Sequence, residues 1–361
     1  MLRFLISRII NGILILWGVV TILFFIFHAL PSDPARMLLG QRSDISSEQA
    51  IRKELGLDKP VFTQYLIYIN DLSPIGYLST SPNSTYERKS EYGKMVKLIP
   101  LKNEAGIFLK SPWLRRSYQT QQSVTQVIKS AFPATAILAF TSIIFAFTFG
   151  LILGSLSAKW HGKFTDKFLM VISVLGMSVP SFFASVLIAW LFAWVLGDIT
   201  GLKMFGSLYE VDDLGRGEYL SLKNLILPAF TLSIRPLAVF TSLSRNSILD
   251  VKKSDFVKTA KAKGLSKNKI FFKHILKNSL NPVVTSASGW FASLLAGSVF
   301  VEYVFDWKGI GYLVVQSLEK YDLPVLMGCL LIIAIMFIII NIILDATYKA
   351  LDPRVQLYNK G

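Results

Sequence analysis

Six stretches of about 20 apolar residues constrain this chain more than any other feature. A helix rises 1.5 Å per residue, so about 20 residues cross a hydrocarbon core of ~30 Å. The runs are Ile9–Leu30, Ala131–Leu153, Phe168–Leu196, Leu225–Leu243, Val283–Val304 and Val325–Ala346. With 52% apolar residues in 361, they predict an all-α integral membrane protein of six transmembrane helices. The third run contains Pro180 and is expected to tilt or kink. The fourth holds Pro228, Arg235 and Pro236, and remains a span because neighbouring helices can satisfy the backbone groups that a proline frees.

The implied organisation is a tail and first helix over 1–30, an extracytoplasmic region over 31–130, a five-helix core over 131–346 containing a cytoplasmic loop at 245–281, and a cytoplasmic tail over 347–361. The first run lacks a small-x-small cleavage site, so it is expected to be a retained helix. Lys and Arg set the direction, because cationic side chains stay on the cytoplasmic side of short loops. With the N-terminus inside, the inner segments hold 18 basic residues and the short outer loops hold five: Lys203, Arg216, Lys223, Lys308 and Lys320. The 14 basic residues between Pro31 and Ser130 do not oppose this, since segments beyond about 60 residues cross largely regardless of charge. Both termini are thus expected in the cytoplasm. The net charge of +15 is a topological signal with some attraction to anionic lipid. Nucleic acid is not an expected partner, because the basic residues lie between spans without an aromatic stacking platform.

In the outer region, Asp44–Leu57 reads as a short amphipathic helix and "FTQYLIYI" as a second. From Ser79 to Lys110 the pattern is broken by Pro82, Gly93, Pro100 and Gly106, and no fold is legible.

Between spans four and five lies "DFVKTAKAKGLSKNKIFFKHILKNSLNP". Ser254 can cap a helix starting at Asp255, with Phe256 and Ala260 expected on one face. Gly264 is expected to end it in a left-handed conformation, and Ser266 to start a second helix lying along the bilayer surface. Such a hairpin is either a charged connector obeying topology or a knob fitting a socket on a soluble partner.

The same stretch, continued to "VVT", resembles the cytoplasmic EAA loop of ABC-importer permeases, specifically the dipeptide/oligopeptide/nickel permease family. "LPSDPA" from Leu30, "ELGLDKPVFTQYLIYI" from Glu54, "GMSVPSFF" from Gly176, "LLAGSVFVEYVFDWKGIG" from Leu294, "YDLPVLMG" from Tyr321 and "LDPRVQL" from Leu351 are similar to it too. Together they cover the chain except about thirty residues around Tyr77 to Lys110. Lys258 stands where the general pattern has glutamate, as in the peptide-permease branch, and Lys308 where proline is usual. The resemblance implies a type I importer fold and a heterodimer with a second permease subunit. It also implies two cytoplasmic ATPase subunits that bind ATP and Mg, and an extracytoplasmic solute-binding protein. The ATPase-docking residues would be Asp255, Lys258, Thr259, Ala260, Lys261, Ala262, Lys263, Gly264 and Leu265.

The chain has no Gly-x4-Gly-Lys-Ser/Thr phosphate loop and no Gly-x-Ser-x-Gly nucleophile. His28, His161 and His274 are far apart in sequence, and Cys329 is a single thiol inside the last span. The expectation is a transport subunit without a cofactor, metal site or ATPase site of its own. Arg235 stands near mid-depth of span four, where a cation is costly unless paired or facing water. It either lines a translocation path and attracts a substrate carboxylate or a coordinated anion, or pairs with Glu302 or Asp345, or sits shallower in a span that starts later. Pro180 and Pro236 are bending points or packing features, and Met177, Ser178 and Phe182 can form cavity walls. Gly289, Ala292, Ser293, Ala296 and Gly297 form a small-residue face suited to close helix contact, expected at the interface with the other permease subunit. The expected mechanism is ATP-driven alternating access, with motion of the docked hairpin passed to spans four and five. The alternative is an ion-coupled secondary transporter, which the scarcity of mid-span acidic residues disfavours.

Overall fold

The computed structural model describes residues 2–29, 48–49, 52–53, 56–79, 86, 92–101, 105–212 and 217–351. Most of the expected Asp44–Leu57 helix, the Leu30–Ala35 motif and the tail beyond 351 lie outside the described residues. The chain divides into two compact units, Ser7–Ser130 with Leu313–Ala334, and Ala131–Tyr312 with the segments Met1–Ile6 and Ile335–Gly361.

In the first of these, α1 (Leu2–Ala29) carries span one, and α2 (Val61–Leu72) packs on its last turns. Tyr65 and Tyr68 of α2 lie against Phe24, and the Tyr65 and Thr21 hydroxyls are 2.8 Å apart. The 79–110 region, without a legible fold in sequence, completes a three-stranded antiparallel sheet that begins at Ile75. Its strands β1 (Ile75–Ser79), β2 (Val96–Pro100) and β3 (Ala105–Leu109) are ordered β1-β3-β2. Leu78, Phe108 and Tyr92 form its small core, with Met95 and Trp113 packed against them. The pattern was opaque because each strand is only five residues long and β2 is exposed on both faces.

Some helices run from one unit into the other, and beyond this sheet the described chain is built largely of helices. In order these are α3 (Val124–Lys159), α4 (Phe164–Ser178), α5 (Ser181–Ala189, continued by a π-helical turn Trp190–Val195), α6 (Lys223–Lys252), α7 (Asp255–Ala262), α8 (Lys277–Gly297), α9 (Val299–Val304), α10 (Ile310–Glu319) and α11 (Leu323–Leu351). A small hairpin of β4 (Tyr209–Val211) and β5 (Glu218–Leu220) precedes α6. Among the described residues, α1, α3, α6 and α11 are each long and apolar enough to cross a membrane, and α4 with α5 passes as a bent pair. The fifth run is helical as α8, but Asn, Ser and Thr dilute its apolarity and Ser298 separates it from α9.

Within this chain, close helix packing occurs between α3 and α6. A Cβ on Gly150 would lie 2.7 Å from Phe240 Cβ, and one on Gly154 2.6 Å from Ser244 Cβ, so these two glycines let α3 and α6 approach backbone to backbone. At Gly289 and Gly297, by contrast, nothing lies within 4 Å. The core over Ala134, Leu138, Leu225, Leu232, Leu295 and Trp307 joins α3, α6, α8 and the α9–α10 turn. In that turn the Trp307 indole donates to the Ala134 carbonyl at 3.0 Å.

Candidate functional site

The basic hairpin folds as expected in outline. Ser254 has extended backbone, and its carbonyl accepts the N–H groups of Val257 and Lys258. Its side chain makes no capping bond; Asp255 supplies the first-turn negative charge and pairs with Lys258 at 2.8 Å. Thr259 donates its hydroxyl to the Asp255 carbonyl at 3.0 Å. Gly264 ends the helix at φ +74°, a conformation that strains any residue with a Cβ. Ser266 then accepts the Lys269 N–H, starting the turn Lys267–Lys269, which runs through a π-helical segment, Ile270–Leu276, into α8.

Burial redraws the faces of α7. Val257 and Ala260, three apart, are the buried pair, packed with Ala158 of α3, Ile248 of α6, Ile270 and Ile275. Phe256 is 45% exposed, so the expected Phe256–Ala260 face is not the one used. Burying a valine contributes about 1.5–3 kcal/mol, and Val257 takes the inner face of α7 against Ala158 and Ile248. Ala260, expected as a docking residue, faces this inner core. Lys258, Thr259, Lys261, Ala262, Lys263 and Gly264 are exposed, and Leu265 is half-buried at the edge of the same core.

A polar clasp that sequence reasoning missed lies close by. Asp166, in the first turn of α4, is only 2% exposed. Arg245 of α6 grips it with Nε at 2.6 Å on one carboxylate oxygen and Nη2 at 2.8 Å on the other. Ser157 Oγ donates at 2.5 Å and the Gly162 N–H at 2.8 Å. Arg245 Nη2 is also 3.0 Å from His161 Nδ1. Four donors complete the carboxylate's shell, which is what a buried charge requires. The available signal was a single aspartate among Lys159, Lys163 and Lys167.

The third run breaks where its proline stands. Val179 and Pro180 are extended, and α4 meets the following helix at 109°. A proline lacks the N–H that would continue the ladder and disfavours helical backbone in the residue before it. Arg235 of α6 donates from Nε to the Met177 carbonyl at 3.3 Å, covering one of the orphan acceptors at the end of α4 and placing a cation at its negative pole. Among the described residues that carbonyl is Arg235's partner. Glu302, one of the two carboxylates considered for it, is instead buried where the α9–α10 turn closes. It accepts from Ser298 Oγ at 2.8 Å and from the Tyr312 N–H at 3.1 Å, capping the start of α10. Arg235 and Pro236 line a cleft with Val179, Ser181, Ser293 and Gly297. Met177 and Phe182 are exposed, Phe182 lies edge-on to Phe300 at 6.1 Å, and Ser178 bonds back to Val174. Pro236 lies within the uninterrupted helix α6, unlike Pro180.

Residues 150–357 match the family described as "Binding-protein-dependent transport system inner membrane component", and residues 1–77 match its N-terminal counterpart. The chain belongs to this family. It is a permease subunit of an ABC importer, a multi-pass protein of the inner membrane whose family works with ATPase subunits and a solute-binding protein. Similar to this permease is the "Glutathione transport system permease protein GsiC" of Escherichia coli strain CFT073, 31% identical over 356 residues, and that of strain K12, 32% identical over 357. Each alignment covers 99% of both chains. A permease chain in the structure titled "Inward facing conformations of the MetNI methionine ABC transporter" superposes with a TM-score of 0.50 at 17% identity. It covers 63% of this permease and 97% of that chain, and it bears on the fold alone.

Proposed function

We propose that this permease pairs with a second, related permease subunit to import short peptides, driven by ATP bound with Mg on two separate cytoplasmic ATPase subunits. It carries no ATPase site of its own. The two termini lie in the cytoplasm, and an extracytoplasmic binding protein delivers substrate. The peptide class is supported by the full-length similarity to glutathione permeases.

The observation that carries the coupling scheme is the two-faced α7. Its Val257–Ala260 side is locked into the permease's own core, while Lys258, Thr259, Lys261, Ala262 and Lys263 face outward. A helix gripped by the ATPase on one face and by Ile248 and Ala158 on the other passes displacement directly to α6 and α3. Cysteine cross-linking tests this. Ala262→Cys should capture the ATPase subunit in the assembled complex and Ala260→Cys should not; no capture from 262 would refute the docking face.

The path for substrate follows the cleft of Val179, Ser181, Arg235 and Pro236, with Met177, Ser178, Pro180 and Phe182 beside it. Arg235 has spare N–H donors for a peptide carboxylate after its bond to Met177. Arg235→Gln is expected to lower peptide uptake about tenfold or more, the loss of a charge-assisted pair worth about 1.5–3 kcal/mol, with assembly unchanged. An unaltered uptake rate in that variant would remove Arg235 from the path.

A further inference from the structure

We propose that the outward face of the first turns of α4 binds the headgroup of an anionic phospholipid, with Lys163 and Lys167 holding the charge and Phe164 and Phe168 inserting beside it. This rests on the membrane placement of α3 and α4, not on the proposed substrate or docking scheme.

Helix α3 ends at Lys159, so the turn over Trp160–Lys163 lies where a membrane-crossing helix leaves the bilayer. From there α4 shows a continuous exposed apolar stripe. Val171, Val174 and Leu175 are 58–59% exposed, Phe168 51% and Phe164 81%. The stripe is apolar surface left open along the span, and its two rings, stacked 6.0 Å apart at 18°, continue it towards the turn. A ring that is 81% exposed there is stabilised by acyl chains and glycerol backbone, not by water.

The charge around these rings is one-sided. Lys163 and Lys167 are exposed one helical turn apart, each next in sequence to a ring. Asp166 is the single carboxylate between Lys159 and Ser178, and it is turned inward and saturated by Arg245, Ser157 and Gly162. The clasp therefore removes the one negative group that would have offset the lysines. Lysine stems lying along apolar surface with their ammonium groups at headgroup level match a phosphodiester in position and sign. A phospholipid offers both chemistries in one molecule, acyl chains for the Val171–Leu175 stripe and a phosphodiester for the lysines.

The test uses the purified importer complex in mixed micelles, titrated with phosphatidylglycerol or phosphatidylcholine and followed by native mass spectrometry. The wild-type complex should retain phosphatidylglycerol in preference. Lys163→Gln and Lys167→Gln should each weaken phosphatidylglycerol binding about fivefold, the equivalent of about 1 kcal/mol per lysine, and leave phosphatidylcholine binding unchanged. High salt should bring the wild type to the variants' level. Unchanged phosphatidylglycerol selectivity in the double variant would overturn the proposal, and so would loss of the ATPase subunits on the same substitutions, which would assign the lysines to a protein partner.

Discussion

Asp166 and Asp71 are both shielded from solvent and both bonded to an arginine, yet they are held differently. Around Asp166, Arg245 spreads its fork over both carboxylate oxygens at 2.6 and 2.8 Å, bringing together residues 79 positions apart in two membrane helices. Around Asp71, at the end of α2, Arg115 puts both nitrogens on one oxygen at 3.2 Å, and Tyr92 donates to the other at 2.6 Å. The Asp71 carbonyl further accepts from Lys110 Nζ and the Trp113 N–H. The first arrangement clamps helices that lead into the basic hairpin, since Arg245 precedes Asp255 by only ten residues. The second staples the small sheet to the helix before it. A bidentate fork fixes direction as well as distance, so the two sites should fail in different ways.

The largest effect should come from Arg245→Leu. It strands a buried carboxylate, at a cost of about 3–5 kcal/mol, and should lower the melting temperature of the purified complex while separating ATP hydrolysis from uptake. Arg245→Lys keeps the charge without the fork and should restore only part of both. Tyr92→Phe should cost less, about 1–3 kcal/mol for a lost bond to a buried charged acceptor. It should speed amide exchange in β1 and β3 with the ratio of transport to ATP hydrolysis unchanged. If Tyr92→Phe uncoupled the complex as Arg245→Leu does, the contrast between a mechanical clamp and a local staple would fall.

The smallest effect concerns a carboxylate at the surface. Glu210 of β4 accepts from Asn224 Nδ2 at 2.9 Å, Tyr219 Oη at 2.8 Å and Lys203 Nζ at 3.2 Å, and these bonds, with Asn224's the strongest, hold its acid below the ordinary glutamate range. A depressed folded-state value means that the hairpin gains stability from Glu210 above the unfolded glutamate value near 4.5 and loses it as pH falls through the folded value. Exchange protection at Tyr219 and Leu220 should drop on acidification below that point, and Glu210→Gln should abolish the dependence.

Much of this was readable in advance where one residue type suffices. Pro180 alone predicts a break, and Gly264 alone predicts a left-handed helix end, because each acts through its own backbone. The inward face of α7 was not readable. Phe256 and Val257 are both apolar, and only the packing of α7 on Ala158, Ile248, Ile270 and Ile275 shows that Val257 is the one turned inward. The close α3–α6 approach at Gly150 and Gly154 was likewise invisible, because two helices, not one, make such a contact.

Sequence by itself determined that the chain crosses a membrane, where its basic hairpin turns and which family it belongs to. Those properties follow from hydrophobic length, local backbone chemistry and extended similarity. Tertiary structure alone decided that Asp166 meets Arg245, that Glu302 caps α10 instead of pairing with Arg235, and that Ala260 points inward. Each of these is a choice among partners distant in the chain, set by which donors and cavities the packed helices bring within about 3 Å.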